Sequence, residues 1–200
     1  MVPTAASNVV SWRPENLKYK KNEIYLDVIE QLNMIVNPSG SVLSSEIIGT
    51  VKGKCQLSGM PELKLGLNDK VQFDLQKKST RGKLIEMEDL KFHQCVKLNK
   101  FEQDRTISFI PPDGEFVLMN YRLNSRVKPL LQIDCIIENY TKSKIEFLIK
   151  AKAQFKSKST ANNVEILVPV PADVDSPVFK SSSGTVTYVP EENCMKWSIK

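Results

Sequence analysis

The sequence predicts an all-β protein, an antiparallel β-sandwich. Three observations predict it. Apolar residues recur at every second position in one run after another; the runs are short and rich in β-branched and aromatic residues; and turn-forming clusters such as SGMP, PPDG and SSSG separate them. No segment offers sustained helical periodicity with a cap, and the runs are too numerous for one compact immunoglobulin-like unit.

The first element is KKNEIYLDVIEQLNMIVNPSG, residues 20–40. Ile24, Leu26, Val28, Leu32, Met34 and Val36 hold even positions, with only Glu30 breaking the series, while Tyr25, Asp27, Ile29, Gln31, Asn33 and Ile35 hold odd ones. Period two fits this better than 3.6. NPSG supplies a turn, and the next run alternates in the opposite phase, with Leu43, Ile47, Val51, Cys55 and Leu57 odd and Glu46, Thr50, Lys52 and Lys54 even. This predicts a hairpin. If Val36 pairs with Ser41 across a four-residue loop, paired residue numbers sum to 77 and the two apolar sets coincide. Tyr25 and Asp27 then share the outer face with Thr50, Lys52 and Lys54.

Further strands are expected in DKVQFDL (69–75), LKFHQCVKL (90–98), RTISFI (105–110), EFVLMNYRL (115–123), LLQIDCIIENY (130–140), KIEFLIKAKAQFKS (144–157) and NVEILVPV (163–170). FIPPDGEF (109–116) reads as strand, turn, strand, with Pro112, Asp113 and Gly114 in the turn. QKKSTRGKL (76–84) is too polar to bury and is expected to be a surface loop. Alternation from Lys144 to Lys158 sets Ile145, Phe147, Ile149, Ala151, Ala153 and Phe155 against a mostly basic face that includes Lys150, Lys152 and Lys156. Such a face is ordinarily solvated. Near an anionic membrane each lysine would contribute on the order of 1 kcal/mol.

Two hundred residues with 41% hydrophobic content suffice for one or two small domains. The net charge of +5 is spread along the chain, so nucleic acid is not indicated, and acidic partners or anionic lipid fit equally well. Cys55, Cys95, Cys135 and Cys194 are widely spaced and His93 is the one histidine, so no zinc set forms; four reduced, mostly buried thiols of a cytosolic protein are expected. No cofactor motif is present: the chain has no phosphate-binding glycine loop, dinucleotide fingerprint, HExxH or EF-hand loop. His93 and Cys95 stand two apart but without the surroundings of a catalytic dyad. A binding module is a better class than an enzyme. No apolar run approaches ~18 residues. MVPTAASNVVSW lacks the basic start and apolar core of a signal peptide, and residues 1–12 read as a linker whose Met1 follows a cut upstream.

The blocks SWRPENLKYKKNEIYLDVIEQLNM, LSGMPELKLGLNDK, EDLKFHQCVKLNKFEQDRTISFIPPDGEF, MNYRLNSRVKPLL and STANNVEILVPVPADVDSP, in this order, resemble the C-terminal cargo-binding domain of the medium (mu) chain of clathrin adaptor complexes. STANNVEI and PADVDSP resemble the trans-Golgi and endosomal type more than the plasma-membrane type. The resemblance runs from about Ser11 to Lys200. It implies an elongated sandwich of two subdomains, here 13–126 and 127–200, the second incomplete because the family's domain continues past KWSIK with two last strands. It implies no cofactor, and a function in recognising Tyr-x-x-large apolar sorting signals in the cytoplasmic tails of membrane proteins. The implied partners are those tails, two large and one small adaptor subunits, and the clathrin coat indirectly, at Golgi and endosomal membranes and coated vesicles.

Position by position, the resemblance puts Tyr25 where the family has a Phe that packs on the signal tyrosine, and Asp27 where a carboxylate accepts its hydroxyl proton. Lys54 falls where a basic residue bonds the same oxygen. Leu26 matches a residue of the pocket for the large apolar side chain, although the hairpin points it away from Tyr25. Ser7 resembles a linker site where the family can be phosphorylated. The alternative is a coat module that binds lipid through its basic face without reading cargo; a purely structural spacer would bind neither.

Overall fold

The computed structural model describes residues 10–67, 71–73, 85–104, 106–124, 127–141 and 144–200. Ser7, most of the expected linker and the polar stretch 76–84 lie outside them. Contacts divide the chain into two compact units, one running through Pro129 and the other spanning Leu130–Lys200.

In the first unit the strands β1 (Glu23–Val36), β2 (Val42–Gln56), β3 (Leu63–Leu65), β4 (Val71–Phe73) and β5 (Ile85–Phe92) precede a short helix α1 (Leu98–Asp104), and β6 (Ile107–Phe109) and β7 (Gly114–Leu123) follow it. One sheet has the order β1-β2-β7-β5-β4, and β3 pairs with β6. Its pairings are antiparallel apart from β4 with β5, which run parallel and depart from the all-antiparallel pairing expected. The helix was not expected: seven residues span barely two turns, too few for a period of 3.6 to register. For the same reason LKFHQCVKL is strand only as far as Phe92 and then turns into α1.

The core of this unit gathers Val51, Cys55, Met87, Cys95, Phe101, Ile107, Phe109, Phe116, Leu118, Met119, Tyr121 and Leu123. Trp12 packs against it and donates its indole N–H to the Ile110 carbonyl (2.9 Å). Arg13 is buried, its guanidinium donating to the carbonyls of Gly59, Leu57 and Pro111, so its burial is offset by charge-assisted hydrogen bonds.

The first hairpin sets the site. Paired numbers sum to 79 along most of β1 and β2, two more than expected, because the connection runs from Asn37 to Ser41 and a bulge lies between Ile35 and Val36. Both sums are odd, so the faces are as expected. On the inner face two glycines of β2 make room for aromatic rings of β7: a Cβ on Gly49 would overlap the Tyr121 ring, and one on Gly53 the Phe116 ring. The Tyr121 hydroxyl passes over Gly49 and donates to the Glu30 carboxylate (2.6 Å), which accounts for the one charged residue in the apolar series of β1. Burial, then that hydrogen bond, pushes the Tyr121 phenol far above its usual range. The inner face of β1 is less covered than its pattern suggests, with Val28 63% exposed.

The second unit holds the hairpin β8 (Leu131–Thr141) and β9 (Lys144–Ala153), and an antiparallel sheet of order β10-β12-β11 built from β10 (Val164–Pro169), β11 (Thr185–Val189) and β12 (Cys194–Ile199). Val164, Ile166 and Val168 alternate to one face of β10, where Trp197 of β12 lies opposite Ile166 and Val186. The Trp197 indole donates to the Ser183 carbonyl (2.7 Å).

Candidate functional site

Three strands lay out the exposed face in rows. Tyr25 of β1 stands opposite Lys54 of β2, which stands opposite Glu115 of β7; in the next row Asp27 faces Lys52, and Lys52 faces Val117. A third row is Ile29, Thr50 and Asn120, closed by a Thr50 hydroxyl donating to the side-chain amide oxygen Oδ1 of Asn120 (2.9 Å). Alternation in the sequence was enough to put Tyr25, Asp27, Lys52 and Lys54 together. Glu115 was out of its reach, because its place depends on β7 lying beside β2.

Tyr25 is 55% exposed, so its ring is available as a platform. A hydrogen bond to Glu23, and Glu23's charge, push its phenol above the usual range against the opposing pull of Lys54. Glu23 is in turn paired with Lys21 (2.7 Å). The Lys54 ammonium pairs with Glu115 (3.3 Å), both side chains being largely solvated. Leu26 lies on the other face, opposite Gly53, the glycine that the Phe116 ring packs against. The structure thus separates Leu26 from Tyr25 and Asp27 by the thickness of the strand.

The lysines of the second unit form a less uniform surface than their own strand suggests. Lys150 lies opposite Asp134 and Lys152 opposite Gln132, and the same face carries Leu148 and Ile136, both exposed, and Glu146 opposite Glu138. Lys156 lies beyond the end of β9 at Ala153, in a turn closed by the Ser159 N–H donating to its carbonyl, so strand alternation does not place it on that face.

No catalytic chemistry is assembled at His93 and Cys95. The imidazole Nδ1 accepts the backbone N–H of Cys95 (3.1 Å) instead of facing its thiol, and burial pushes that thiol up to about 11, far from a reactive thiolate. Cys55 and Cys194 are also buried free thiols, and Cys135 is exposed. Among the described residues no cluster of His, Cys, Asp and Glu could hold a metal, and no helix is long and apolar enough to cross a membrane.

This arrangement of sheets is that of a mu-homology domain: the yeast delta-COP-I mu-homology domain superposes with a TM-score of 0.58 at 16% identity, covering 90% of this chain and 72% of that one. The same yeast domain complexed with a Dsl1 WxWxV peptide gives a TM-score of 0.57 at 18% identity, over 90% of this chain and 71% of that one. The chain belongs to the adaptor complexes medium subunit family, whose pattern matches residues 10–200. It is 60% identical to mouse AP-1 complex subunit mu-2 over 199 residues, all of this chain and 47% of the relative. It is 57% identical to the AP-1 complex subunit mu of Dictyostelium discoideum over 202 residues, again all of this chain and 47% of that one. The AP-1 complex subunit mu-1 of Schizosaccharomyces pombe is 57% identical over 198 residues, covering 99% of this chain and 46% of the relative. The chain therefore spans about half the length of these relatives. The family is one of adaptor subunits, not of enzymes.

Proposed function

We propose that this chain is the cargo-reading part of a clathrin adaptor medium subunit, and that it binds tyrosine-based signals, Tyr-x-x-large apolar, in the cytoplasmic tails of membrane proteins. It works within a complex of two large subunits, a small one and itself, peripheral on trans-Golgi and endosomal membranes, and meets the clathrin coat through that complex.

The observation that carries this reading is an exposed carboxylate and an aromatic ring on β1, whose outer edge has no partner among the described residues, grouped with two lysines of the neighbouring strand β2. An extended peptide laid along β1 would add to the sheet. Its side chains then follow the period of the sheet, so a tyrosine and the residue three positions on point to opposite faces. The tyrosine lies over the outer face, its ring against Tyr25, its O–H donating to Asp27 and its oxygen accepting from a β2 lysine, for which Lys54 is in reach. The large apolar residue falls to the inner face, where Leu26 (38% exposed) and Val28 supply apolar surface. This reconciles Leu26 with a site it does not share with Tyr25.

Anionic lipid is the weaker partner for the second unit, since acidic residues of β8 interrupt the lysines of β9. Calorimetric titration with a Tyr-x-x-Leu peptide and its Phe-x-x-Leu counterpart tests the proposal. A hydrogen bond to a charged group contributes about 1.5–3 kcal/mol, so the phenylalanine peptide should bind about ten- to a hundredfold more weakly. Equal affinities would remove Asp27 from recognition and refute the reading.

A further inference from the structure

Asp27 and Lys52 are direct partners in the ladder between β1 and β2, and both side chains belong to the exposed face. The neighbouring charges are engaged: Lys54 with Glu115, Glu23 with Lys21. Lys52 has no such rival, because the residue opposite it on β7 is Val117. Among the described residues neither the Asp27 nor the Lys52 side chain enters a hydrogen bond or an ion pair.

Two opposite charges that face each other across a strand pair without joining suit a group that can donate and accept at one atom. A phenol hydroxyl does both: its O–H donates to the carboxylate and its lone pair accepts from the ammonium. A ligand carboxylate would suit Lys52 and be repelled by Asp27; a ligand amine would meet the reverse; a phenylalanine ring would leave both charges unanswered. Lys54 can reach the same oxygen only by sharing its ammonium with Glu115, whereas Lys52 gives up no partner.

We propose that Lys52 is a specificity-determining residue of the tail site, donating to the signal tyrosine's oxygen from directly across the sheet while Asp27 takes the proton. This rests on the tyrosine-signal reading above. It gives Lys52, which strand alternation places on the face without a task, the part that the resemblance alone assigns to Lys54.

The test is the ratio of affinities for Tyr-x-x-Leu and Phe-x-x-Leu peptides, measured by calorimetry on the full-length protein and on its Asp27→Ala, Lys52→Met, Lys52→Arg and Lys54→Met variants. Lys52→Met should shrink the ratio at least about fivefold, Lys52→Arg should restore most of it, and Lys54→Met should change it less. A ratio that collapses in Asp27→Ala but survives in Lys52→Met overturns the role of Lys52 and leaves the tyrosine reading standing. A ratio unmoved by Asp27→Ala overturns that reading, and the role of Lys52 with it. Thermal melts alongside confirm that each variant is folded, since all three positions are solvent-facing.

Discussion

Replacing Tyr121 with Phe removes one oxygen and leaves the ring seated over Gly49, so its effect isolates the bond that ties β7 across β2 to the site strand β1. A hydrogen bond to a charged group contributes about 1.5–3 kcal/mol, but Glu30 lies on an exposed stretch of strand and regains water when the bond is lost, which brings the expected cost to about 1–2 kcal/mol. For a unit of this size that is a fall in Tm of roughly 4–10 °C. The pH dependence sharpens the test. The Tyr121 phenol is raised in the folded state, so above the unfolded value of about 10 the unfolded chain loses its proton first and the wild type's advantage declines with rising pH. The loss reaches about 1.4 kcal/mol by pH 11, so wild type and Tyr121→Phe should differ clearly at pH 7 and nearly coincide at pH 11. Urea unfolding of both proteins across this range decides it. Equal midpoints at pH 7, or a difference that does not shrink above pH 10, would show that the hydroxyl is not bound to Glu30 in solution.

Two other substitutions address the frame and its surface. Gly53→Ala forces a methyl into the Phe116 ring and should destabilise the protein by about 1–3 kcal/mol in chemical denaturation, with weaker tail binding because Leu26 lies opposite; unchanged stability would mean that the ring has room to move. Hydrogen bonds from Lys100 and then Lys97 pull the Glu62 carboxyl down to about 2. A lowered folded value contributes stability above the ordinary carboxyl range near 4.5 that is lost as the pH falls towards 2, so Glu62→Gln should flatten the acid limb of the stability profile over that interval. An identical acid limb would place these pairs among solvated ones without consequence.

The site was legible in the sequence because it depends on parity. The hairpin register expected from a four-residue turn was off by two, yet Tyr25, Asp27, Lys52 and Lys54 kept their face, since a shift of two returns every side chain to the same side. What alternation could not carry was anything set by strands distant in sequence. Glu115 beside Lys54 and the aromatic rings over Gly49 and Gly53 both require β7 to lie next to β2, and no local pattern announces the parallel pairing of β4 with β5. Local signals also failed where they were too short: α1 spans seven residues, and β9 ends at Ala153 although the alternating pattern runs on to Lys158. The mostly basic face read from β9 alone is further interrupted where β8 supplies Asp134 and Glu138.

The strand β2 divides its labour residue by residue. Gly49, Val51, Gly53 and Cys55 turn inward, each held by what packs over it, while Thr50, Lys52 and Lys54 turn outward and touch only solvent and shallow neighbours. Exposed substitutions away from such packing usually stay within about 0.5 kcal/mol. The reading surface can therefore be rewritten without disturbing the frame that presents it. Exchanging Lys52 or Lys54 for neutral or acidic side chains is a direct route to hairpins that select tails by a different polar group, on a scaffold whose folding does not register the change.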